Sequence, residues 1–345
     1  MIIGTPPTDI GGRSVRARLA AVVAGYGALA VGACIGAPLI GSTHISLARA
    51  FDRSIPFANN VDAQIFFVAR MPRVLTGAVA GAALAAAGVV MQALLRNPLA
   101  TPFTLGVSAG AALGAILVIT FGSVVAVGAI SPVPLASLIG AVAASAIVYT
   151  LATRPGRTIS TTVLLLAGVT LNAFFSAVIL FVQYLADFTQ TYRTVRWLMG
   201  DLDVGSFGPV LASLPLLVPA FAVFAVLPRS LNLLSVGTDT AATRGVDVGR
   251  TQRLAFLSAS LATAAAVSLA GPIGFVGIIV PHLVRLMVGV DHRLVLPASA
   301  LFGVAFLVGC DVVSRTIMAP VEVPVGVVTA MVGGPFFLWL LVRRS

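Results

Sequence analysis

Residues 65–94 read IFFVARMPRVLTGAVAGAALAAAGVVMQAL, a run in which Arg70 and Arg73 are the only charged residues. A helix needs roughly 20 apolar residues to cross about 30 Å of hydrocarbon, and the part of the run after Arg73 is long enough. Backbone polar groups cannot be left bare in lipid, so such a run folds as a helix. The stretch is typical of the whole chain of 345 residues, in which 59% are hydrophobic and 9% charged, with a mean hydropathy of +1.07. Soluble domains are roughly 25% charged, and this chain lacks the polar groups to cover a soluble surface. Soluble globular, disordered and nucleic-acid-binding classes are thereby excluded. All 21 basic residues are Arg. Without Lys the chain has no P-loop, whose Lys reaches nucleotide phosphates, and no Lys Schiff-base chemistry. If ATP drives it, another chain binds the nucleotide.

Outward from this segment, apolar runs recur at 19–41, 104–122, 133–153, 162–186, 207–228, 253–271, 274–289, 295–313 and 323–342. They predict an all-α polytopic membrane protein with about ten transmembrane helices in a single domain over 1–345. The 65–94 run is long and the 274–289 run short, so tilt or a broken helix is expected. The longest polar stretches, 42–64, 187–206 and 229–252, are too short for an independent core. With ten spans and a cytoplasmic N-terminus, one side receives Arg13, Arg16, Arg18, Arg96, Arg154, Arg157, Arg229, Arg244, Arg250, Arg253, Arg285, Arg293, Arg343 and Arg344. That side holds only Asp9, Asp239, Asp247 and Asp291, so the formal net charge of +10 sits there and the other side balances to zero. The positive-inside rule makes this Arg-rich side cytoplasmic. It carries the basic N-terminus 1–18, the loop 229–252 and both chain termini. Three Arg before an apolar run also resemble a signal-peptide n-region, but the 19–41 run is long enough to span.

The polar residues narrow the function. The Asp residues and the single Glu lie at helix ends or in loops, which argues against ion-coupled transport, since that needs carboxylates or His at depth. His44, His282 and His292 are scattered without metal spacing, no nucleophile–base constellation stands out, and Cys34 and Cys310 read as packing residues. Gly77 and Gly81, and Gly106, Gly110 and Gly114, are spaced as GxxxG; they mark either close helix crossings or simply a Gly- and Ala-rich bundle.

Three polar motifs remain. In Arg70-Met71-Pro72-Arg73, helical spacing puts both guanidiniums on one face, with Pro72 in a first helical turn. They either dock an acidic partner from outside or anchor the interface by snorkelling. In the loop Ser235–Asp247, Thr238 or Asp239 can cap a short helix that Gly245 ends; it is either a contact for a cytoplasmic partner or a solvated loop helix. Arg96-Asn97-Pro98-Leu99-Ala100-Thr101-Pro102 has two Pro that fix its shape, and it either constricts a pathway or connects two helices.

Taken in order, these stretches resemble the FecCD-type permeases, the membrane subunits of ABC importers for cobalamin, haem and ferric siderophores. The matching segments are Arg70–Arg73, Val90–Ala100, Leu105–Gly110, Leu166–Gly168, Trp197–Gly200, the Gly237–Gly245 loop, Gly274–Gly277, Pro281–Arg285, Asp291–Arg293, Cys310-Asp311, Glu322–Gly326, Thr329-Ala330 and Gly334-Pro335. The resemblance runs from about residue 65 to the C-terminus. It implies a type II importer permease of the bacterial inner membrane, working as a homodimer or pseudo-dimer. It implies two cytoplasmic ATPase subunits that use ATP and magnesium, an extracellular or periplasmic binding protein, and no cofactor or catalytic residue on this chain. By the same resemblance, Arg70, Arg73 and Arg315 dock the binding protein. Gly237, Thr238, Asp239, Ala242, Arg244 and Gly245 belong to the ATPase-coupling loop. Asn97, Pro98 and Leu99 form an inner gate with Ser160 and Thr161. The cargo is expected to be an iron chelate, haem or ferric siderophore, or cobalamin. A stand-alone secondary transporter or channel is the alternative, and a membrane enzyme a more distant one.

Overall fold

The computed structural model describes residues 12–122, 132–153 and 158–344. Residues 1–11 of the basic N-terminal segment, together with Arg154 and Arg157, lie outside them. Among the described residues there are helices and no strands. Besides short helical turns such as Leu47–Ala50 and Val61–Gln64, the helices are α1 (Gly12–Gly36), α2 (Met71–Leu95), α3 (Val107–Phe121), α4 (Pro132–Ala152), α5 (Thr161–Leu185), α6 (Phe188–Leu198), α7 (Gly208–Val226), α8 (Pro228–Val236), α9 (Thr238–Thr243), α10 (Val248–Ala270), α11 (Val276–Val288), α12 (His292–Thr316) and α13 (Val325–Arg344). Seven helical stretches are long and apolar enough to span a bilayer, and Val107–Phe121, Val276–Val288 and Val325–Trp339 are shorter apolar helices. These ten coincide with the ten apolar runs. The polar stretch 187–206 adds a helix not anticipated, α6, begun by a reciprocal capping box between Asp187 and Gln190.

The long second run is one helical column from Val61 to Leu95, in π register at Ile65–Arg70 before α2 begins. Pro72 has no N–H to give residue 68 and its ring crowds that carbonyl; a π turn absorbs such a mismatch. Pro72 thus sits at a change of register within a continuous helix rather than at a free helix start. The eighth run is short because Gly271–Phe275 is not helical, and α11 covers only about 20 Å. Gly271 (φ +69°) and Phe275 (φ +66°) both take left-handed backbone there. Irregular backbone at membrane depth must be buried in protein, and here the Ala270 carbonyl accepts from Asp201 N at 2.9 Å.

The core is built around α2, which packs against α10, α11 and α12, while α1 lies on α12, and α3 and α4 pair beside α5. Small residues set these crossings. A Cβ on Gly81 would lie 2.2 Å from Gly303 O of α12, one on Gly88 2.1 Å from Gly277 O of α11, and one on Gly114 2.1 Å from Ala136 O of α4. Gly81, Gly110 and Gly114 are therefore close-crossing positions, whereas Gly106 (φ +84°) is the left-handed residue that starts α3. Helix directions define two poles. Arg18 donates to Val288 O at 3.3 Å at one end of α1, and Ala37 and Ile40 meet Arg315 at the other.

Gly81→Val should force α2 and α12 apart. Overpacking of this kind costs about 1–3 kcal/mol or more, so the thermal unfolding midpoint in detergent should fall by several degrees. Gly309→Ala, with nothing within 4 Å of its added Cβ, should leave it unchanged. Equal midpoints for the two variants would contradict the crossing.

Candidate functional site

At one pole, three guanidiniums meet around the turn that follows α1. Arg70 donates to Pro38 O at 2.7 Å and also to Thr43 O. Arg315 donates to Ile40 O at 2.9 Å and Ala37 O at 3.2 Å. Four carbonyls of one turn are thus held by two side chains. Gly41 makes room, since a Cβ there would lie 2.7 Å from Arg70 Nη2. Arg73 donates to Asp311 Oδ1 at 2.7 Å and Glu322 Oε2 at 2.6 Å. Asp311 Oδ2 is 3.0 Å from Arg315 Nε, close enough to pair but off the hydrogen-bond axis. Asp311 is fully buried, and Arg70, Arg73 and Arg315 are 6%, 8% and 5% exposed.

The sequence reading turns these three side chains outward. The structure brings them together at one pole and turns them inward, because charges removed from water need partners and the fold supplies them. Ser314 Oγ donates to Val323 O at 2.5 Å and so ties the segment that carries Glu322 back to α12. Asp311 and Glu322 are the members that spacing missed. The i,i+4 relation of Asp311 and Arg315 was the available signal.

At the opposite pole lies α9. Its N-cap is Gly237 with no side-chain cap, Thr238 is its first residue and Asp239 lies in its first turn. Neither Thr238 nor Asp239 caps the helix, which corrects the sequence expectation: Gly237 occupies the cap position one residue earlier. Gly245 does end the turn, at φ +79°, with its N–H on Ala242 O at 3.0 Å and Val246 N–H on Ala241 O at 3.0 Å. Ala241 is buried beneath the turn, while Asp239, Ala242, Arg244 and Gly245 are exposed.

Beside it, Asp291 caps α12 by accepting from Arg293 N at 3.0 Å. Asn232 of α8 donates to Asp291 Oδ1 at 2.7 Å, and its own Oδ1 accepts from His292 N at 2.8 Å and lies 2.7 Å from His292 Nδ1. Burial pushes the Asp291 carboxyl up, but hydrogen bonds from Arg293 and Asn232 and the Arg293 charge outweigh it and hold its pKa at about 2. Asn232 was not singled out by its sequence position.

The gate residues lie in two turns. Asn97 Oδ1 accepts from Leu99 N at 2.9 Å, and Ser160 caps α5 through Val163 N at 3.4 Å. Each side chain closes its own turn, so no hydrogen bond among the described residues joins Asn97, Pro98 or Leu99 to Ser160 or Thr161. The segments that follow the two turns pack closely, since a Cβ on Gly168 of α5 would lie 2.4 Å from Thr104 O. Farther along α5 a cleft of about 520 Å³ has Ser108, Asn172, Ser176 and Gln183 set among apolar walls from Phe103 and Leu198, and none of the gate residues lines it. Asn172 Nδ2 donates to Phe103 O at 3.2 Å.

The chain belongs to the FecCD transport family, whose model matches residues 28–343. It is similar to the cobalamin import system permease protein BtuC of Halobacterium salinarum, at 48% identity over 80% of this chain and 73% of that one. It is 37% identical to the hemin transport system permease protein HmuU of Yersinia pestis, over 90% and 92%. A solved structure of an inward-facing metal-chelate type ABC transporter superposes with a TM-score of 0.79 at 31% identity, over 94% of this chain and 99% of that one. The protein is a permease of the ABC importer class.

Removing one partner of a buried pair costs about 3–5 kcal/mol, whereas exposed pairs contribute about 0–1 kcal/mol. Arg73→Ala should therefore lower the unfolding midpoint far more than Arg196→Ala, whose pair with Asp201 at 3.4 Å is solvent-exposed. Similar midpoints would contradict the clamp. The carboxyl of Asp291 is held below its usual value of about 3.9, so its stabilisation is complete above about pH 4 and is lost as pH falls through about 2. The stability difference between wild type and Asp291→Asn should shrink over that window, and a constant difference would refute it.

Proposed function

We propose that this chain is the membrane pathway of a binding-protein-dependent importer that carries an iron chelate, haem or a ferric siderophore, or cobalamin. In this reading two copies pair in the inner membrane through the exposed apolar face of α5, where Leu166, Val169 and Leu180 have no cover within one chain. The pole that carries α9 faces the cytoplasm, where the positive-inside rule puts the Arg-rich side, and both chain termini lie there. Two ATPase subunits, which use ATP and magnesium, press on the Gly237–Gly245 turn. The observation that carries this reading is that turn, a short helix seated on the bundle by the buried Ala241 with Asp239, Ala242 and Arg244 exposed. The complete lack of Lys assigns nucleotide binding to another chain. Closure of the ATPase pair shifts the bundle between two accessibilities, which requires contacts that differ between the two states.

The binding protein docks on the opposite pole at Arg70, Arg73 and Arg315, where among the described residues Asp311 and Glu322 pair with Arg73 and Arg315 and no carboxylate pairs with Arg70. A carboxylate from that protein exchanges for carbonyls of the 37–43 turn. The two turns at Asn97–Leu99 and Ser160–Thr161 form the inner constriction of the pathway. Large chelates need little tight binding along the way, which is consistent with the few polar residues in the cleft.

Proteoliposomes containing the chain with its ATPase subunits and binding protein should take up one of haem, ferric siderophore or cobalamin only when ATP and magnesium are supplied. Uptake by the chain alone would refute the importer reading in favour of a stand-alone transporter. Arg70 holds carbonyls and no carboxylate, so Arg70→Gln leaves no buried anion behind. It should weaken binding-protein affinity about tenfold, or about 1.4 kcal/mol, and flatten its salt dependence. Unchanged affinity and salt dependence would remove Arg70 from the docking surface.

A further inference from the structure

The turn at α9 has few ways to act on the bundle. α9 rests chiefly on α8, with a smaller contact to α10, and α8 in turn packs on α2 and α12. On its apolar side α8 buries Leu231 and Leu234 in the core, 0% and 1% exposed. Apolar contacts are non-directional, so a push on α8 can be dissipated by sliding. Asn232 is the exception. Its amide donates to Asp291 Oδ1 at 2.7 Å and accepts from His292 N at 2.8 Å. His292 is 6% exposed.

A helix start leaves its first N–H groups without partners. In α12, Asp291 satisfies Arg293 N, and the His292 N–H is satisfied by a side chain from a different helix. Asn232 is in effect a second cap of α12, supplied from α8, and directional in both its bonds. From that cap α12 runs toward the other pole, with Asp311 about 29 Å and Arg315 about 35 Å along it. On the way it is held to α2 by the Gly81–Gly303 contact.

We infer that Asn232 is a positioning residue that transmits displacement of the Gly237–Gly245 turn to α12, and through α12 to the Arg73–Asp311–Arg315 cluster. The inference rests on the proposed docking of ATPase subunits at that turn. Its role is coupling: it determines how much movement at one pole reaches the other, not whether the ATPase binds or hydrolyses.

The test uses the assembled importer, reconstituted with its binding protein and whichever of haem, ferric siderophore or cobalamin it takes up. Asn232→Ala should leave ATPase affinity and hydrolysis within twofold of wild type and lower chelate uptake per ATP hydrolysed at least tenfold. The exchange variant Asn232→Asp with Asp291→Asn re-forms the amide–carboxylate pair with roles reversed and should recover most of that ratio. A residue needed only for folding would lower uptake and hydrolysis together and leave their ratio unchanged. If Asn232→Ala does not fold, Asn232→Asp alone is held to the same thresholds. It keeps an acceptor for the His292 N–H and sets two carboxylates against each other. ATPase affinity undiminished by Arg244→Glu overturns the docking reading and the relay with it. ATPase affinity lost in Arg244→Glu, with uptake per ATP within twofold of wild type at Asn232, overturns the relay alone.

Discussion

The structure depends on two helices meeting backbone to backbone. Gly81 of α2 and Gly303 of α12 face each other so closely that a Cβ on either would strike the other's carbonyl, at 2.2 and 2.4 Å. In lipid no hydrophobic force draws helices together, so close packing of small residues does that work. Once α2 and α12 touch in this way, their ends are fixed relative to each other. Arg73 at the start of α2 then reaches Asp311 near the end of α12, while Arg70 and Arg315 hold the turn after α1. A buried charge cluster in a membrane protein is tolerable only in such a preset frame, because each unpaired member would cost several kcal/mol.

The same pair of helices joins the two regions assigned to partners. At one pole α12 is capped jointly by Asp291 and Asn232, next to the exposed turn at α9. At the other it ends in the clamp that holds residues 37–43. In the proposed importer energy enters at one surface and is used at another, and a stiff helix fixed at both ends is a direct physical route. The peripheral helix α5 is different. Only 17% of its most apolar window is buried, and it carries Asn172, Ser176 and Gln183 of the cleft. In the proposed importer, scaffold and pathway are thus built from different helices.

The architecture was legible in the sequence, and the reasons are specific. Ten apolar runs became ten apolar helices because a lipid environment leaves the backbone few alternatives. The break before α11 followed from a run too short to span comfortably. What stayed hidden was pairing over long sequence separations. Arg73 and Asp311 are 238 positions apart, and nothing local in Arg70–Arg73 indicates that these guanidiniums turn inward onto carbonyls and carboxylates. Asn232 looked like one polar residue in Leu231–Leu234, since its partners, Asp291 and His292, belong to another helix. The GxxxG spacing pointed to possible crossings without naming which helix each would meet. The π turn before Pro72 left no local trace beyond the proline itself.

The central claim is that the two poles move as one unit through α2 and α12. Hydrogen–deuterium exchange on the assembled importer, with and without a non-hydrolysable ATP analogue, tests it most directly. The account predicts that nucleotide changes protection at two separated places, the 237–246 turn and the 37–43 turn held by Arg70 and Arg315. A change confined to the 237–246 turn, with the 37–43 turn unaltered, would contradict it.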